Sequence, residues 1–91
     1  MYLMISTYLR PLPEVDAARP DHFAFMDRLE ADGHVVGAGR QESGTGGIVL
    51  LRAGSADEAR RLMADDPYVL RGLATYEPVG WTVTRGPLAA L

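Results

Sequence analysis

The 91-residue chain contains no cysteine. Disulfides, thiol nucleophiles and thiolate metal sites are therefore excluded. It also contains no lysine: all nine cationic residues are arginine. That usage reads as a genomic base-composition bias rather than a binding signature. The arginines are not clustered and the net charge is a mild −3, so the electrostatic footprint of a nucleic-acid binder is missing. No apolar run approaches the ~18 residues that a membrane span requires. Nor does a basic stretch followed by a long apolar run suggest a signal peptide. The expectation is a cytoplasmic domain with no nucleic-acid or membrane partner. Only two histidines are present. His22 and His34 are not at metal-ligand spacing and lack an obvious third ligand, so no metal site is expected. The 44–47 loop (Gly-Thr-Gly-Gly) lacks the Lys-Ser/Thr ending of a phosphate loop. No Gly-x-Ser-x-Gly motif marks a serine hydrolase. No cofactor is expected.

What is present suits one α+β domain spanning residues 1–91. A chain of this size buries somewhat over ~60% of its unfolded surface, so association with a second subunit would add useful burial. Residues 2–9 alternate with period two and read as a strand. Leu3, Ile5 and Thr7 share one face; Tyr2, Met4, Ser6 and Tyr8 share the other. Pro11 and Pro13 stop it. Residues 16–33 read as the first helix, with Pro20 in its first turn and Gly33 just past its end. His22, Phe25, Met26 and Leu29 fall on one face of it, Asp27 and Arg28 on the other. Residues 34–40 read as a second strand, in which Gly37 and Gly39 mark a bulge or a close backbone approach. A polar loop, 41–47, leads to a third strand, 48–53, and implies an antiparallel hairpin.

Ser55-Ala-Asp-Glu58 is a capping box opening the second helix. That helix breaks at Asp66-Pro67, because proline lacks an N–H and disfavours helical dihedrals in the residue before it. With Ala59 at the centre of the inner face, Met63 and Asp66 lie within roughly 40° of it, while Asp65 points away. One short turn follows to Arg71 and ends at Gly72. Residues 75–84 read as the last strand, with Pro78 requiring an edge position or a bulge. The order β-α-β-β-α-β with right-handed crossovers gives a ferredoxin-like unit: a four-stranded antiparallel sheet with both helices on one face. The other face, expected to carry Met4, Tyr8 or their neighbours, needs a cover, and a second copy of the chain is the simplest one.

Two residues carry the candidate chemistry. His22 reads either as a core-edge histidine with one structural hydrogen bond or as a general acid/base. The positive end of the helix dipole and partial burial both disfavour an imidazolium, which leaves the ring neutral and able to accept a proton. Asp66 reads either as the cap of the short turn that Pro67 begins or as the partner that orients His22. The two roles are compatible, since a carboxylate has two oxygens. Tyr68 is a packing residue or a pocket donor. Arg19 is a surface residue or receives an anionic group near the helix N-terminus.

With these residues in place, the chain resembles the YCII-related (YciI-like) family. The likeness rests on Arg19-Pro20-Asp21-His22-Phe23 with Leu29, on Gly37-Ala38-Gly39, and on Ala64-Asp65-Asp66-Pro67-Tyr68-Val69 with Gly72, then Tyr76 and Trp81. The resemblance implies a dimeric α+β barrel and an active His–Asp pair, which here would be His22 and Asp66. It also implies relatives that include a dehydrochlorinase of a chlorinated hydroxyquinol, within a superfamily that includes lactone isomerases and cofactor-free oxygenases. Phe23, where the family usually has leucine, and Arg40, where it often has proline, depart from the pattern, near the pocket that the resemblance implies. Two functions stand open at this point. One is a cofactor-independent lyase, isomerase or hydrolase in which His22 and Asp66 move protons and Arg19 and Tyr68 bind an unidentified small molecule. The other is a non-catalytic, dimeric ligand-binding or accessory module.

Overall fold

The computed structural model describes residues Met1–Leu91. Strand β1 (Tyr2–Tyr8) lies inside a four-stranded antiparallel sheet, flanked by β3 (Gly47–Leu51) and β4 (Ala74–Gly80). Strand β2 (Val35–Arg40) pairs with β3, giving the order β2-β3-β1-β4. Helical crossovers join β1 to β2 and β3 to β4, so the chain has the expected ferredoxin-like βαββαβ architecture. Pro78 sits on β4, an edge strand, where its missing N–H breaks no interior ladder. The β2–β3 register shifts between Val35 and Gly37, a bulge in the glycine-containing stretch.

The first crossover is two helices rather than one: α1 (Leu12–Ala17) and α2 (Arg19–Ala31), meeting at Ala18. Pro20 is the cause. A continuous helix would need an N–H from residue 20 to the Asp16 carbonyl and would drive the proline ring into that carbonyl. At the second position of a new helix neither problem arises. Pro11 and Pro13 likewise open α1 as well as ending β1. Gly33 closes α2 with a φ of +87°, which a side chain would resist.

The second crossover is α3 (Ala56–Ala64) followed by the single turn α4 (Pro67–Leu70). Ser55 Oγ accepts from the Glu58 N–H at 3.1 Å, and Glu58 reaches back to the Gly54 N–H at 2.9 Å. Strand β4 stops at Gly80, four residues short of the expected Thr84. Its partner runs out, since Gly80 pairs with Tyr2 and only the Trp81 N–H to Met1 carbonyl bond lies beyond.

The sheet faces are the reverse of the expectation. Met4, Ser6 and Tyr8 lie under the helices, and Leu3, Ile5 and Thr7 look outward. Period-two alternation says which residues share a face, but β1 is apolar on both sides, and only the crossovers choose which side is covered. Met4, Val49 and Leu51 of the sheet pack with Phe25, Met26, Leu29, Ala59 and Met63 of the helices. On the uncovered face Ile5, Ile48 and Val79 remain exposed.

The 41–47 loop is drawn tightly onto β1. A Cβ on Gly46 would stand 1.8 Å from the Ser6 carbonyl oxygen, so only glycine lets the Tyr8 N–H reach the Thr45 carbonyl at 2.8 Å. Met26→Ala and Leu29→Ala should each cost about 2–5 kcal/mol in urea unfolding, as buried large-to-small changes do. Asp27→Ala, on the exposed side of α2, should stay within about 0.5 kcal/mol. Equal losses at Asp27 and Met26 would mean that α2 is rotated about its axis.

Candidate active site

Asp66 occupies the break between α3 and α4, and it is fully buried. Pro67 holds it in an extended conformation as the cap of α4. Its Oδ1 accepts from the Tyr68 N–H at 3.0 Å. Its Oδ2 accepts from the Tyr76 hydroxyl at 2.7 Å. His22 Nδ1 lies 2.9 Å from both oxygens. The cap role and the pairing with His22 therefore coexist on one carboxylate. Donors from α2, α4 and β4 converge on it, which is what a buried carboxylate requires.

This partner sets the histidine tautomer. Asp66 is an acceptor, so Nδ1 is the donor, and in the neutral ring Nε2 keeps its lone pair. Nε2 bonds to no group of the chain, and the His22 side chain retains 14% exposure, on the wall of a cavity. The ring lies flat against Tyr68, with centroids 4.0 Å apart and planes 5° from parallel. The stack and the carboxylate together leave the imidazole little freedom to rotate. Tyr68 is thus both a packing residue and part of the cavity wall.

The cavity, of about 140 Å³, lies between α2, α4 and the sheet. Arg19 reaches it from the first turn of α2, its guanidinium 4.9 Å above the Phe23 ring. All four residues singled out from the sequence, His22, Asp66, Arg19 and Tyr68, are thus at or directly behind one cavity. Three further polar side chains at its wall were not singled out: Tyr76, Ser6 and Tyr8. Arg40, a departure from the family pattern expected near the pocket, joins them. Its Nε donates to the Tyr8 hydroxyl at 3.0 Å and its Nη2 to Asp16 at 2.5 Å. Two signals were available: a lone arginine ending an apolar strand, and a serine alternating with Met4 and Tyr8. His34 is elsewhere, with Nδ1 3.1 Å from the Arg52 carbonyl. No three His, Asp or Glu side chains converge as a metal site would need.

Burial, reinforced by the Asp66 charge and hydrogen bond, pushes the Tyr76 hydroxyl far above its usual range. Burial, then the neighbouring Tyr8, also raises Tyr68. Hydrogen bonds to Asp16 and Tyr8 hold the Arg40 guanidinium firmly charged. Tyr76 is therefore a permanent donor to Asp66 at any ordinary pH.

A YCII-related domain model matches residues 1–82. The chain belongs to the YCII-related family. No curated protein sequence matches it. Among solved structures it is similar to 5-chloro-2-hydroxyhydroquinone dehydrochlorinase from Burkholderia phenoliruptrix, in complex with 2,5-dihydroxybenzoquinone. Identity is 22% and the TM-score 0.70, over 89% of this chain and 93% of that one. At that identity the likeness speaks for the shared fold. Family membership and fold thus match the resemblance read from the motifs.

Tyr76 supplies a test of the buried network. Its folded-state value lies above the unfolded one of about 10, so its stabilising contribution is complete below pH ~10. It is lost as the pH climbs from there toward the folded value. Urea unfolding between pH 8 and 11 should show stability falling at the alkaline end. Tyr76→Phe should make that fall shallower while costing about 1–3 kcal/mol at pH 8, where Asp66 loses a donor. An unaltered alkaline slope in Tyr76→Phe would place the hydroxyl outside the network.

Proposed function

We propose that this YCII-related chain is a cofactor-independent enzyme that moves protons on a small molecule through His22, held by Asp66. The observation that carries this reading is the unbonded Nε2 at a cavity wall, on a ring whose other nitrogen is committed to a buried carboxylate. A binding module needs the cavity, but it has no use for an imidazole fixed by its far side with a lone pair left free. Nε2 takes a proton from the substrate, Asp66 stabilises the imidazolium that forms, and in a second step the proton passes to solvent (elimination) or back to the substrate (isomerisation). In an elimination, the released C–H or O–H electron pair becomes the new double bond and a leaving group departs with its own pair. In an isomerisation, the proton is returned to a different atom. Arg19 and Tyr68 bind the substrate. The likeness to a dehydrochlorinase supports the elimination form of this chemistry.

We further infer that the chain works as a homodimer. The outward sheet face with Ile5, Ile48 and Val79 exposed is the surface a second copy would cover, which closes the pair into an α+β barrel. Sedimentation at micromolar concentration should give twice the 9.9 kDa chain mass; a clean monomer there refutes the dimer.

The catalytic reading is tested by incubating hydroxyquinols, their chlorinated forms and unsaturated lactones in D₂O with the protein. Deuterium incorporation and chloride release are then followed. One of these substrates should react. His22→Gln and Asp66→Asn should each lower its rate about 10²–10⁴-fold, the usual scale of positioned acid/base catalysis. The double variant should be little worse than either single one, since the two residues act as a unit. Turnover undiminished in His22→Gln would refute the mechanism.

A further inference from the structure

We propose that Ser6 and Arg40 form an oxyanion-binding end of the cavity, and that the ligand is a single-ring planar compound carrying an ionised ring oxygen. The proposal rests on the reading of this cavity as the substrate site and gives that substrate a chemical class.

The starting observation is Ser6 Oγ. It is the one buried side-chain polar atom in the chain with no hydrogen-bond partner, on a residue only 2% exposed. An unsatisfied buried hydroxyl costs about 1–3 kcal/mol. Alanine would fit the same place at no such cost, so the hydroxyl is best explained by a partner that arrives from outside. Ser6 lines the cavity, which is where that partner would sit.

The sheet register puts a cation two strands away in the same row. Arg40 pairs with Gly47 across β2–β3, and Ser6 pairs with Tyr76 across β1–β4. The β1–β3 ladder runs to Ile5 and Ile48, so Ser6 and Gly47 are the next neighbours along it. Gln41 Nε2 spans their two carbonyls at 3.3 Å each. Arg40, Gly47, Ser6 and Tyr76 thus form one row across the helix-side face. Gly47, which also lines the cavity, stands between Arg40 and Ser6 in the row and contributes no side chain. Arg40 is fixed by Tyr8 and Asp16 through Nε and Nη2, and its Nη1 bonds to no group of the chain. A positioned cation with a spare N–H and an unpartnered hydroxyl, both on the wall of one cavity, make a receptor for an anionic oxygen.

The rest of the cavity sets size and shape. An apolar cavity of about 150 Å³ accepts benzene, and this one measures about 140 Å³. Met26 and Val49 supply apolar wall, and the stacked His22–Tyr68 pair presents flat rings. A single planar ring fits, with its ionised oxygen at Ser6 and Arg40 and its reacting edge toward His22 Nε2.

The test is equilibrium binding, which needs no turnover and so stands apart from the acid/base assay. The full chain is titrated at pH 7 with three one-ring probes: 2,5-dihydroxybenzoquinone, ionised at its ring oxygens; hydroquinone, neutral; and benzoate, anionic through a carboxylate. The expected result is at least a tenfold preference for the ionised quinone over both others. Ser6→Ala should weaken its binding about tenfold, with the melting temperature unchanged or raised because no internal bond is lost. Arg40→Gln should weaken it thirtyfold or more and erase the preference over hydroquinone. Arg71→Gln, a surface arginine paired with Asp21 on the protein exterior, should bind as the unaltered chain does. Undiminished affinity in Ser6→Ala overturns the proposal, as does a lowered melting temperature there without loss of binding. Tighter binding of benzoate overturns the ring-oxygen assignment, and failure of the quinone to bind at millimolar concentration overturns the whole.

Discussion

A carboxylate with no contact with solvent dominates this small domain. Asp66 is stable in its position only because donors from α2, α4 and β4 converge on it. Each donor belongs to a different part of the chain, so the network can form only when both crossovers are docked on the sheet. Removing one partner of a buried charge is far more costly than the pair is worth in net stability. The arrangement therefore ties the geometry of the site to the completeness of the fold. It also orders the imidazole: its proton is claimed from behind, its face is stacked on Tyr68, and one nitrogen is left toward the cavity.

The proline after Asp66 is the local device that makes this possible. It ends α3, starts a single turn, and leaves the aspartate extended with its backbone N–H bonded back to Met63. Without the break, residue 66 would continue the helix and the Tyr68 N–H would be spent on a helical carbonyl. A second proline does the equivalent on the other crossover. Pro20 forces the chain to restart at Arg19, which puts His22 in the first turn of α2 and close to α4. Two residues that differ by 44 in sequence meet because two prolines set the starting points of two helices.

Glycine does corresponding work in the sheet. Gly46 allows the 41–47 loop to lie against the Ser6 backbone, and a Cβ on Gly47 would crowd the Gly39 carbonyl at 3.0 Å. The cavity lies between the sheet and the helices α2 and α4. Of its polar lining, Ser6, Tyr8, Arg40 and Tyr76 come from strands, and Arg19, His22 and Tyr68 from α2 and α4.

Much of this was legible in the sequence. Period-two and helical spacing, the capping box and the prolines specified the βαββαβ order, because these signals are local and each has a direct steric or hydrogen-bonding cause. The helical phases of Ala59, Met63 and Asp66, and of His22, Phe25 and Leu29, were enough to aim both candidate residues inward. The register between strands was not legible. Alternation on β1 gave Met4, Ser6 and Tyr8 a common face, but both faces are apolar, and only the docked helices decided that this one is covered. Tyr76 and Arg40 reach the site through sheet register, which depends on pairing among residues distant in sequence. Ser6 acquires its meaning from burial without a partner, and that is a property of the packed structure alone. By itself the sequence determined the elements and where they break. The tertiary structure decided which side chains share the cavity, because convergence depends on long-range packing that no local pattern encodes.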